Sequence, residues 1–143
     1  MNILAVIIFS FQFSSGMVSD SSDQVLDWVI LKDNKVVRQA DQDSVILSSA
    51  LLKANRKTVI ISGFMLPPND ENENTEYELT EESHLSCLHT DDDHIIKLHV
   101  HFKKAEALQF TPVWVRGILS IHRNEDGVVR LTLTQAEIIQ RED

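Results

Sequence analysis

The chain has 143 residues, 43% of them hydrophobic and 24% charged, which suits one soluble globular domain around a single buried core. Its formal net charge of -9 repels a phosphate backbone, so broad nucleic-acid binding is excluded unless charge is strongly segregated. A cationic partner, whether protein or metal ion, is compatible with that charge.

Met1 to Phe13 is mostly apolar, and no charged side chain occurs before Asp20. The run is short for a bilayer span, and the small residues Ser14, Ser15 and Gly16 follow it as at a leader-peptidase site. A secretory signal peptide over 1–16 is expected, although no Lys or Arg precedes the apolar run. The alternatives are a buried first strand or an uncleaved anchor. Position 17 is Met, so a lipoprotein cysteine is missing at the expected place. Export places the chain in an oxidising compartment, where the lone Cys87 cannot form an internal disulfide. It is then a buried small hydrophobe, a metal ligand or an intermolecular pairing site.

Val18 to Gln24 is polar. Val25 to Leu31 is a short apolar run centred on Trp28, an edge strand or a turn of helix. Lys32 to Gln42 reads as a loop. Ser44 to Asn55 is predicted as a helix, capped by Asp43 or Ser44, with Ile46, Leu47, Ala50, Leu51 and Ala54 at helical spacing. Asn55 can take the left-handed conformation that ends it. Thr58 to Leu66 is β-branched and apolar on both faces, as in a central strand, and Gly63 predicts a bulge or sharp bend. Pro67 and Pro68 end it, and Asn69 to Thr75 is an acidic, amide-rich loop. A short strand is expected at Glu76 to Leu79.

Ser83 to Phe102 holds Cys87 and five of the six histidines, with Asp91 to Asp93 in its middle. Ile96, Leu98, Val100 and Phe102 alternate with polar residues, so a strand with His99 and His101 on one face is predicted. Lys103 to Phe110 reads as a loop with one helical turn. Val113 to His122 is a further strand, bent at Gly117. Asn124 to Gly127 has the composition of a tight turn. Val128 to Thr134 returns antiparallel, with Val129, Leu131 and Leu133 inward. Gln135 to Ile139 continues as a strand or bent terminus, and 140–143 is a polar tail.

Several strands, one short helix and glycine bends predict a mainly β fold: a small antiparallel barrel of five or six strands, OB-like, with a β-sandwich as the alternative. The chain then divides into a leader over 1–16, an N-terminal segment over 17–42 and the OB-like domain over 43–139.

Ile61-Ser-Gly-Phe-Met-Leu-Pro67, Leu85-Ser-Cys-Leu-His89, Val100-His-Phe102 and Pro112-Val-Trp-Val-Arg-Gly-Ile-Leu119 stand in that order. This set resembles an uncharacterised family of exported bacterial proteins catalogued as a domain of unknown function. The resemblance covers roughly Lys57 to Ile139. It implies a periplasmic OB-like domain keeping company with ABC-type transport systems, some for metal uptake, and no established activity. The chain departs where the family has a proline-rich segment after Cys-x-His; Thr90 to His94 stands there instead.

Cys87 and His89 would point to one side of an extended segment, as would His99 and His101. Paired as a hairpin, they would offer a thiolate and three imidazoles, a donor set suited to zinc or copper. Against this, histidine on a solvent-facing strand is ordinary and the spacing is not that of paired CxxC elements. Asp91 to Asp93 lacks the alternating ligands of a calcium loop. A Cys87–His89 catalytic dyad has no third orienting group that can be named, so no catalytic residue is assigned. Trp28 and Trp114 would stack a base or sugar in an OB-type groove, or simply pack. Two expectations follow. The first is an exported, non-enzymatic accessory module of an envelope transport system that binds a transition metal. The second is a metal-free protein-interaction domain with an acidic face.

Overall fold

The computed structural model describes residues 23–33, 35–39, 42–82, 97–125 and 128–141. In chain order these form β1 (Gln24–Val25), α1 (Trp28–Lys32), β2 (Lys35–Gln39), β3 (Gln42–Ile46), α2 (Ser49–Ala54), β4 (Thr58–Leu66), β5 (Glu73–Thr80), β6 (Leu98–Ala107), β7 (Val113–Arg123) and β8 (Val129–Ile139). Five strands pair in a ring, β4 to β5 to β6 to β8 to β7, and β7 pairs back with β4. β1 adds to β4 outside the ring, and β2 and β3 form a separate hairpin. The mainly β, small-barrel expectation is therefore met by a ring of five strands.

The sheet is mixed where an antiparallel one was expected. β6 and β8 run parallel, with His99 opposite Thr132 and Val100 opposite Leu133. Parity requires this. Strands around a ring can alternate in direction only if their number is even, so a five-membered ring contains at least one parallel pair. The two-residue β1 is also parallel to β4.

Gly63 lets β4 change partners. Six rungs join β4 to β7, ending at Gly63 opposite Val113; the next residue, Phe64, pairs with Thr80 of β5. A Cβ at Gly63 would lie 2.8 Å from both Leu79 Cγ and the Thr80 carbonyl oxygen, so only glycine fits the corner. Gly117 is the second bend. Opposite it the register slips, and Gln135 of β8 takes φ 50°, a bulge that turns the strand. Along β4, and along β7 as far as Ser120, buried residues alternate with half-buried ones, and Val59, Ile61, Val115 and Leu119, with Leu133 of β8, are fully buried.

The helical segment is shorter than the periodicity predicts. Residues 42–46 form β3, paired with β2 in a hairpin where a loop was expected. The helix begins only after Ser48, whose hydroxyl accepts from Leu51 N–H at 3.2 Å. A second helix, α1, is capped by Asp27. Asn55 keeps φ −58°, and it is Arg56 that takes the left-handed value of 64°. Asn55 Oδ1 instead accepts from Ile121 N–H at 3.0 Å, which ties the end of α2 to β7.

β5 and β6 are both longer than their patterns suggest. They run together past the ring as a ribbon, with Asn74 opposite Glu106 and Glu73 opposite Ala107. The Tyr77 hydroxyl donates to the Glu106 carbonyl at 2.6 Å, and the Tyr77 ring meets Phe102 edge-on. The ribbon thus has its own buried anchor.

Candidate functional site

β6 presents His99 and His101 on one outward face, about half exposed, with 36% and 48% of their side-chain surface open. Directly across the ladder stand Glu78 and Glu76 of β5. His99 Nδ1 lies 3.8 Å from Glu78 Oε1, and His101 Nδ1 lies 3.3 Å from Glu76 Oε1. Lys97 Nζ is 3.4 Å from the other Glu78 oxygen. Cross-strand neighbours of opposite sign are mildly stabilising in such a ladder. These two pairs are ionic only when the imidazoles are protonated. Both flanks of β6 here are occupied by strands, β5 on one side and β8 on the other. The hairpin expected between the His99–His101 strand and the Cys87 segment is therefore replaced, at that position, by the β5–β6 ladder. Cys87, His89, His84, His94 and the three aspartates lie outside the described residues, as does the leader. Among the described residues no group of three or more His, Cys, Asp or Glu is placed to hold a metal ion.

Both tryptophans have contacts within the chain. Trp28 is 7% exposed, and its indole N–H donates to the Ser62 carbonyl at 2.7 Å. It has no free ring face, so the stacking role weighed for it gives way to a core role. Trp114 stands half-buried on the outside of β7, with the Arg141 guanidinium 4.7 Å from its ring centroid. The chain's own arginine thus covers one face of that ring.

Beside Trp114 on β7, Arg116 organises a charged cluster. Its Nε donates to Glu137 Oε1 at 2.9 Å, a second guanidinium N–H reaches the same oxygen, and Asp23 Oδ2 lies 3.5 Å away. Lys103 Nζ is 3.6 Å from Glu137. Hydrogen bonding and charge from Arg116 hold the Glu137 carboxyl below the usual carboxylate range, and Glu137 raises the guanidinium in return. The cluster ties the N-terminal segment to β7 and β8.

The surface with the shape of a binding site is elsewhere. A groove of about 470 Å³ opens at the end of the ring, between residues 64–70 and 108–110. Its walls are the last turn of β4, the Pro67–Pro68 step and the connection from β6 to β7. Phe110 stands on its rim with 86% of its surface exposed. With Pro67, Pro68 and Leu108 this ring forms part of the apolar patch that lines the groove. Asp70, Glu71 and Glu73 are exposed next to it, so the patch has an acidic border. Sequence reading passed over this site. The available signal was Leu108 and Phe110 standing in an otherwise polar connection between two strands. A smaller cleft of about 360 Å³ lies against Val29, Asp33 and residues 46–50, with Val29 and Ile46 half or more exposed.

No helix among the described residues is long and apolar enough to cross a membrane. No family model, no curated protein and no solved structure matches the chain.

Proposed function

We propose that this chain is a non-enzymatic binding module, and that its working surface is the groove at the ring end, where a partner protein inserts an apolar side chain. The observation that carries the proposal is Phe110, exposed at 86% on a groove of about 470 Å³. A side chain entering beside it would bury the ring together with Pro67, Pro68 and Leu108. Anchors of this kind carry most of the energy of many interfaces. The OB-like ring gives no function by itself; sites on it do. The test is to pan a random-peptide display library against the full chain and against Phe110→Ser. Peptides with an aromatic or aliphatic anchor, held by the wild type and lost by the variant, are the expected result. Equal recovery by both proteins would reject the groove.

A second reading has its own observation. His99 and His101 share one open face with Glu76 and Glu78, and Cys87 and His89 lie in the connection between β5 and β6. A soft cation such as zinc or copper would suit Cys87, His89, His99 and His101 as ligands. Titration with each metal should then saturate, and binding should vanish when Cys87→Ser is combined with His89→Ala. Binding that is absent, or unchanged in that variant, would remove the metal.

The apolar leader and the family resemblance support export and a place beside an envelope transport complex. Expression of the whole chain in a bacterium should yield an envelope-soluble product whose mass corresponds to cleavage near Gly16. A full-length product retained in the cytoplasm would contradict export.

A further inference from the structure

We infer that the segment docking at the groove binds in extended form, as an added strand on β5, and that it carries Lys or Arg beside its apolar anchor. The inference rests on the groove being the docking surface.

The geometry begins with unequal strands. β5 starts at Glu73, yet its last rung with β4 is Glu78 opposite Leu66. On the flank facing β4, residues 73–77 have no strand partner among the described residues; on the other flank β6 follows β5 to Glu73. Pro67 and Pro68 take the chain away immediately after Leu66, and neither has an N–H to offer the ladder. The loop that follows makes one bond within itself and one to a β5 side chain. Glu71 N–H donates to Asn69 Oδ1 at 3.0 Å, and Asn74 Nδ2 donates to the Glu71 carbonyl at 3.2 Å. The loop thus meets β5 through the Asn74 side chain, while no backbone–backbone bond joins residues 67–72 to residues 73–77.

An unpaired edge beside an apolar groove is the arrangement by which sheets accept extended peptides: main-chain bonds supply affinity and a pocket reads alternate side chains. Such an edge is also a hazard, and proteins guard it with charge. Here the guard has one sign. Glu73, Glu76, Asp70 and Glu71 are all exposed around it, within a chain of net charge -9. Two copies of this edge repel each other, which disfavours self-pairing. A segment with Lys or Arg flanking its anchor meets complementary charge instead. Lys103 of β6 is turned to Glu137 on β8.

The experiment uses the full chain and peptides selected on it. Recovered peptides should be rich in Lys and Arg around the anchor, and their Glu-substituted versions should bind at least about tenfold more weakly, a difference that shrinks in high salt. Methylating alternate peptide amides on one register should abolish binding, while methylation on the other register should not. Hydrogen exchange at Asn74 to Tyr77 should slow when the peptide is bound. Peptides that bind and depend on Phe110, yet are indifferent to charge, to methylation in either register and to these amides, would overturn strand addition and leave the groove standing. Recovery of no Phe110-dependent peptide would overturn the groove and this inference together.

Discussion

Glu137 shows how one side chain joins three segments of the fold. It receives Arg116 from β7 and Lys103 from β6, and Arg116 in turn reaches Asp23 ahead of β1. Because its carboxyl is held below the ordinary carboxylate value, Glu137 favours the folded state at pH above that ordinary value. That contribution is lost as pH falls through the lower, folded-state value. Thermal melts of Glu137→Gln should therefore lie below wild type at neutral pH and converge with it in acid. Added salt should narrow the gap, since the cluster is partly open to solvent. A gap that persists unchanged into strong acid would mean that charge is not its source. Gly63 illustrates the opposite kind of residue, one whose value is the absence of a side chain at the β4 corner. Phe110 is a third kind, an apolar ring that the fold itself leaves uncovered.

At the scale of elements, β4 and β7 were readable because both faces of each strand obey a period of two and each bends at a glycine. Residues 42–46 were not. Ile46, Leu47, Ala50, Leu51 and Ala54 fit a helical stripe, but β-branched Val45 and Ile46 pair with β2, and the helix starts only where Ser48 caps it. The ends of β5 and β6 were hidden for a different reason. Asn69 to Thr75 and Lys103 to Ala107 have loop composition, and only their pairing with each other, anchored by Tyr77 and Phe102, makes strands of them. The candidate site was missed because the groove exists only where the connection after β6, residues 108–110, meets the β4 end and the residues after it, 64–70. The shared face of His99 and His101 was legible, whereas their cross-strand partners Glu78 and Glu76 required the register. Trp28 belongs at this scale too. It fastens the segment from β1 to α1 onto β4 through the Ser62 carbonyl. Trp28→Phe should cost about 1–3 kcal/mol in urea unfolding, the usual loss when a partly buried acceptor is left unpaired. It should also speed amide exchange at Leu26, which donates to Ile60. An unchanged unfolding midpoint would show that the bond does not fasten the segment.

For the molecule as a whole, a five-strand ring with one forced parallel pair supplies a rigid frame, and its two ends differ. One end carries the β7–β8 turn, where Asn124 N–H meets the Val128 carbonyl at 2.9 Å. The other carries the apolar groove, the acidic border and the unpaired flank of β5. The proposed docking surface lies at the second end. The most direct measurement compares one selected peptide on wild type, Phe110→Ser and Val128→Ser, with all three chains checked for folding. Val128 is 58% exposed at the opposite end of the ring, so it controls for loss of surface apolarity alone. Affinity should fall at least about tenfold for Phe110→Ser and stay unchanged for Val128→Ser, as for loss of a single interface anchor. Equal affinity for all three chains, or a loss confined to Val128→Ser, would contradict the account.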